Sequence, residues 1–105
     1  MSKLIDVVAE SMRLALVDKV ILQKRTDNYA IYGAVDKYFI GELEDSNGFC
    51  YFNYYKHRMD TLNESEKLLM CTLRVLIKKF LSDNFKLTKL DDDICDCIYY
   101  LITEK

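Results

Sequence analysis

Catalytic chemistry in this chain would have to pass through His57, the one histidine in the sequence. Its imidazole could act as general base for a thiol, Cys50 or Cys71, or share a proton with the carboxylate of Asp60 or Glu64. The nearest thiol is badly placed. Cys50 lies seven residues before His57 on one predicted strand, and side chains an odd number apart point to opposite faces. Cys71 and the two carboxylates stay geometrically open, so a small enzyme centred on His57 is the third-ranked reading. Gly33, Gly41 and Gly48 cannot make a glycine-rich phosphate loop, and neither G-x-S-x-G nor H-E-x-x-H occurs.

Metal chemistry has less to work with. Cys95-x-Cys97 falls in a predicted helix, where residues two apart point to different sides, unlike the C-x-x-C knuckles of zinc sites. Asp91-Asp92-Asp93 opens that helix, where negative charge complements the helix dipole. No metal, cofactor or catalytic residue is expected. The four cysteines, Cys50, Cys71, Cys95 and Cys97, read as thiols packed in or near the core.

Binding chemistry is better represented. Residues 49–58 read Phe-Cys-Tyr-Phe-Asn-Tyr-Tyr-Lys-His-Arg, the densest aromatic run in the chain, ending in three basic or titratable groups. Strand alternation puts Phe49, Tyr51, Asn53, Tyr55 and His57 on one face and Cys50, Phe52, Tyr54 and Lys56 on the other. One set must pack against helices. The other remains outside, near Tyr38 or Ile40 of the neighbouring strand. Tyrosine buries much apolar area at little rotamer cost and keeps a hydroxyl for a partner, which suits a protein interface. The expected contact set is Tyr38, Tyr51, Tyr55 and His57, with Lys56 and Arg58 tuning orientation and on-rate. The bland counterpart is a set of sheet-filling tyrosines with wetted hydroxyls.

The same rings could instead stack on the bases of a single-stranded nucleic acid. Lys56, His57 and Arg58 would then meet phosphates, helped by Lys67, Arg74 and Lys78 on one face of a long helix. A net charge of −2 and interleaved acidic residues weaken this second reading. The same balance disfavours both a duplex-DNA binder and an acidic DNA mimic.

Positioning these groups falls to elements that can be read in outline. The chain's 105 residues, half of them apolar, make one compact domain over 1–105. A first helix is expected over 3–16 with Ser2 as N-cap, its apolar residues Ile5, Val8, Ala9, Met12, Ala15 and Leu16 at helical spacing. Residues 19–24 could extend it or form a strand. Strands are expected over 29–35, 38–44 and 49–57. Asn47-Gly48 marks a hairpin whose register stays open: a two-residue turn pairs Leu43 with Phe52, a bulged three-residue loop pairs it with Tyr51. Thr61 and Glu64 read as a capping box for a helix to about residue 83, and Thr88 and Asp91 as a second one opening a last helix. The expected fold is α+β: an N-terminal helix, a small antiparallel meander of three or four strands, and two C-terminal helices packed on one sheet face.

No apolar run approaches the ~20 residues that span a bilayer. Asp6 and Glu10 interrupt the region where a signal peptide needs apolar continuity. A cytoplasmic protein without a membrane partner is expected. The absence of Pro and Trp, beside abundant Lys, Ile, Tyr, Asn and Phe, is what AT-rich codons give and fits a phage, a virus (acting in host cytoplasm) or a low-GC bacterium. The leading expectation is therefore a small non-enzymatic regulatory or inhibitory protein binding a protein partner, by analogy a phage or viral accessory protein that blocks a host factor. A homodimer through the same face is its nearest competitor.

Overall fold

A computed structural model describes residues 3–55, 62–90 and 97–105. The elements run α1 (Leu4–Ala15), β1 (Val20–Lys24), β2 (Asn28–Gly33), β3 (Phe39–Ser46), β4 (Phe49–Tyr55), α2 (Glu64–Asn84), β5 (Lys86–Leu90) and β6 (Cys97–Thr103). The class is α+β, as expected, but the sheet is larger. Six antiparallel strands lie in the order β1-β2-β3-β4-β6-β5. Among the described residues no helix is long and apolar enough to cross a membrane.

Helix α1 buries Ile5, Val8, Ala9 and Met12, the stripe its spacing predicts. Lys3 is its N-cap and contributes no side-chain cap bond; Ser2, the expected cap, lies outside the described residues. The segment 19–24 resolves into strand, with Val20 opposite Gly33 and Leu22 opposite Ile31. In the β3–β4 hairpin, Asn47 (φ 53°) and Gly48 (φ 84°) both take left-handed backbone. That is the pattern of a two-residue turn whose twist matches its strands, and it selects Leu43 opposite Phe52.

The expected last helix is the main correction. Thr88 is not an N-cap but a strand residue opposite Leu101, and β5 and β6 form a hairpin. Residues 98–103 are Ile-Tyr-Tyr-Leu-Ile-Thr, a β-branched and aromatic run that fits a pleated surface. Helical spacing of Ile94, Cys97, Ile98 and Leu101 competed with it, and pairing with β4 decided the outcome. Asp91, Asp92, Asp93 and Cys95 lie outside the described residues. Among the described residues one C-terminal helix therefore remains, α2. Its capping box uses Asn63 and Glu66: the Glu66 N–H donates to Asn63 Oδ1 and the Asn63 N–H to Glu66 Oε1, each at 2.9 Å. Thr61, the expected cap, is outside the described residues.

Alternate residues of the strands meet both helices in one core. Tyr29, Leu43, Phe52 and Tyr100 stand side by side across β2, β3, β4 and β6. Ile77 and Leu81 of α2 and Val8 and Met12 of α1 join them in that core, each large buried side chain contributing about 2 kcal/mol. A bulge sits where Ile31 pairs Gly41 but Tyr32 pairs Phe39, leaving Ile40 as the extra residue. Its side chain is fully buried, and its carbonyl accepts from Nε of buried Arg74 at 3.1 Å.

Next to the bulge, a Cβ on Gly41 would lie 2.6 Å from the Asn53 carbonyl oxygen, whereas at Gly33 its nearest neighbour is a Leu73 methyl at 3.4 Å. Backbone cannot move aside as a methyl can. Gly41→Ala should therefore cost about 1–3 kcal/mol in urea unfolding, and Gly33→Ala distinctly less; equal losses would contradict the close approach of β3 to β4.

Candidate binding face of the sheet

Both helices pack on the same side of the sheet, so strand alternation leaves a second face that neither covers. The register defines it. One row runs Gln23, Ala30, Glu42, Asn53, Tyr99 and Leu90 across β1, β2, β3, β4, β6 and β5. The next runs Asn28, Glu44, Tyr51, Leu101 and Thr88. Tyr55 lies opposite Cys97, and Tyr32 meets Phe39 edge-on with ring centres 5.7 Å apart. Phe49 is 54% exposed and Tyr55 42%, large values for aromatic side chains on a sheet. Tyr51 and Tyr99 are half-buried against each other, edge to face at 6.2 Å.

Two carboxylates stand in the middle of these rings. Glu42 and Glu44 are two residues apart on β3 and share this face. Neither makes an ion pair among the described residues; Glu42 accepts only the Asn28 side-chain amide at 3.1 Å. Burial, and then the nearby Glu42 charge, push the Glu44 carboxyl above its usual value. Burial, with contributions from Cys97 and Glu44, pushes Tyr99 up to about 12. Asn53, directly opposite Glu42, is 2% exposed. Its Oδ1 accepts from the Cys97 thiol at 3.8 Å, and its Nδ2 has no hydrogen-bond partner among the described residues.

The sequence-derived site residues divide. Tyr51 and Tyr55 share this face. Tyr38 does not join them: it precedes β3, and its hydroxyl donates to Glu66 in the first turn of α2, on the helix side. Lys56, His57 and Arg58 lie outside the described residues. Lys67, Arg74 and Lys78 of α2 do not form a common phosphate-facing row. Lys67 pairs with Glu64 at 3.7 Å, Arg74 is buried with its guanidinium 4.2 Å from the Tyr54 ring centre, and Lys78 lies 5.7 Å from that of Tyr100. Cys50 and Cys97 are buried and Cys71 exposed. Burial, reinforced by Asp45, pushes the Cys50 thiol up to about 12, which leaves it a poor nucleophile. Among the described residues no group of three or more His, Cys, Asp or Glu gathers as for a metal ion.

Glu42, Glu44, Tyr99 and Leu101 are the face residues that sequence reading missed. The first two had a signal: they alternate with Leu43, so any register that turns Leu43 inward turns them outward. Tyr99 and Leu101 had none, because their segment reads as helix. The chain matches no protein-family model, and neither the curated proteins nor the solved structures contain a significant match to it. The functional reading rests on this face.

A raised carboxyl value means that the fold favours protonated Glu44. The stabilisation this gives is complete below the unfolded value of 4.5 and is lost as pH rises through the higher folded value. With Glu42, Tyr51 and Tyr99 as the groups around it, charged Glu44 works against the fold at neutral pH. Glu44→Gln should raise the melting temperature at pH 7, with the gain vanishing near pH 4; a lower melting temperature at pH 7 would mean that the carboxylate is stabilised by a partner.

Proposed function

We propose that the chain is a small non-enzymatic binding protein that regulates or inhibits a protein partner by docking it on the helix-free face of the sheet. The observation that carries this reading is the exposure of Phe49 and Tyr55 on the same face as Tyr51, Tyr99 and Leu101. Rings held on a rigid sheet lose little freedom on contact, and buried aromatic anchors typically supply about 2 kcal/mol or more each at an interface. The composition that fits AT-rich coding favours a phage or viral accessory role, with a host factor as the partner.

Single-stranded nucleic acid is the second reading, and two features weigh against it. Glu42 and Glu44 put negative charge where phosphates would track, and Arg74 is committed to the core. Titration with short DNA and RNA oligomers at low salt should leave the tyrosine emission unchanged; saturable, salt-sensitive quenching would reverse the order of the two readings. Pairing of two copies through this face would appear as a concentration-dependent mass in light scattering.

The decisive comparison is between the parent chain and the double variant Phe49→Ser with Tyr55→Ser. Both side chains are well exposed, so the melting temperature should fall by only a few degrees, at roughly 1 kcal/mol or less. Capture of the partner from a host lysate should drop at least about tenfold, the effect of 1.4 kcal/mol. Undiminished capture by a folded double variant would move the docking site elsewhere.

A further inference from the structure

The face that neither α1 nor α2 covers is aromatic. Among the described residues the charged side chains it carries on the middle strands β3 and β4 are Glu42 and Glu44, while Arg25 stands toward the β1–β2 edge, donating to the Tyr32 hydroxyl at 3.0 Å. The central pair points to the chemistry of the occupant. Their Cα atoms lie two strand residues apart, about 7 Å, with both side chains on the one face. The Tyr51 and Tyr99 rings flank Glu44 through the pairings Glu44–Tyr51 and Tyr51–Leu101 and the edge contact of the two rings. A carboxylate pair with tyrosine rings beside it suits one class of ligand group. An ammonium or guanidinium gains from both, by charge-assisted hydrogen bonds to carboxylate and by attraction to the π cloud.

A second observation points the same way. Asn53 sits beside Glu42, and its amide nitrogen, wholly buried, has no acceptor among the described residues. A buried donor left unsatisfied is destabilising, and an acceptor brought by a ligand would relieve that cost. Glu42 and Tyr99 are the cross-strand neighbours of Asn53 on this face. An extended chain laid across β3 and β4 would supply a backbone carbonyl as that acceptor and its cationic side chains together.

We infer that the partner presents a basic, extended segment to this face, a lysine or arginine side chain seated between Glu42 and Glu44 beside Tyr51 and Tyr99, with a backbone carbonyl accepting from Asn53 Nδ2. This deepens the docking reading above and rests on it. It also orders the surface: the rings give area, and the carboxylates choose sign. A nucleic-acid strand or an acidic peptide is rejected by the same pair.

The probes are three synthetic nonapeptides without aromatic residues, carrying lysine and arginine, glutamine, or glutamate at alternate positions between threonines. Tyrosine emission of the full chain reports binding, since the chain has no tryptophan. The basic peptide should bind about tenfold or more tightly than the glutamine peptide at low salt, and the glutamate peptide should not bind. In Glu42→Gln with Glu44→Gln that preference should collapse to about twofold. Glutamine can still accept the Asn28 amide, and a thermal melt verifies the fold; Glu44→Gln alone, with part of the preference lost, serves if the double variant melts early. Equal binding of basic and glutamine peptides, a preference that survives in the double variant, or no binding by any peptide each overturns the inference. None of these touches the docking reading itself, which stands or falls on the Phe49 and Tyr55 comparison.

Discussion

The architecture depends on the register of the β3–β4 hairpin. Asn47 and Gly48 take left-handed backbone in a two-residue turn, and that turn fixes Leu43 opposite Phe52. Because side chains alternate strictly along a strand, a slip by one residue would exchange the faces of the aromatic strand. It would bring Phe49, Tyr51 and Tyr55 against the helices and put Phe52, fully buried at the centre of the core, into water. A local turn preference and a long-range hydrophobic requirement agree here, and that agreement is what specifies one structure over its alternatives.

Around that register the rest of the core follows. Strand β6 adds to β4 and brings Tyr100 over Phe52, with ring centres 6.1 Å apart. Helix α2 then closes the layer. The bulge at Ile40 exposes a carbonyl to the helix, and Arg74 takes it while lying over Tyr54. A residue that reads as a surface cation thus becomes part of the interior, its charge facing a ring and a peptide dipole. Glu66 has a comparable double duty, capping α2 and accepting the Tyr38 hydroxyl. The contact draws the Glu66 carboxyl below its usual value and ties the start of β3 to the start of the helix.

The face that neither α1 nor α2 covers has a different character from the one they pack on. Its aromatic residues are partly exposed, its small residues Ala30 and Asn53 are deeply set, and its central charges are acidic and without ion pairs among the described residues. An aromatic surface of this kind favours association through shape and area, while Glu42 and Glu44 add a preference of sign. That combination distinguishes it from a phosphate-tracking surface, which needs cations in the same place.

Much of this was legible in the residues. The apolar stripe of α1, the long core helix, the strands on either side of Asn47-Gly48 and the exclusive alternation of the aromatic strand all follow from periodicities of 3.6 and 2 and from one turn dipeptide. Those are local properties, set by backbone sterics and by which side chains tolerate water. Three matters were decided only by tertiary structure. Residues 97–103 became a strand because β4 offered an unfilled edge, a partner about fifty residues away along the chain that no local pattern contains. Arg74 was drawn inward because a bulge in a different strand offered it a carbonyl. The two faces of the sheet were assigned because both helices, given their buried stripes, could be satisfied on one side only; that assignment, a matter of packing between distant segments, is what left Tyr51, Tyr55 and the two glutamates together on the open side.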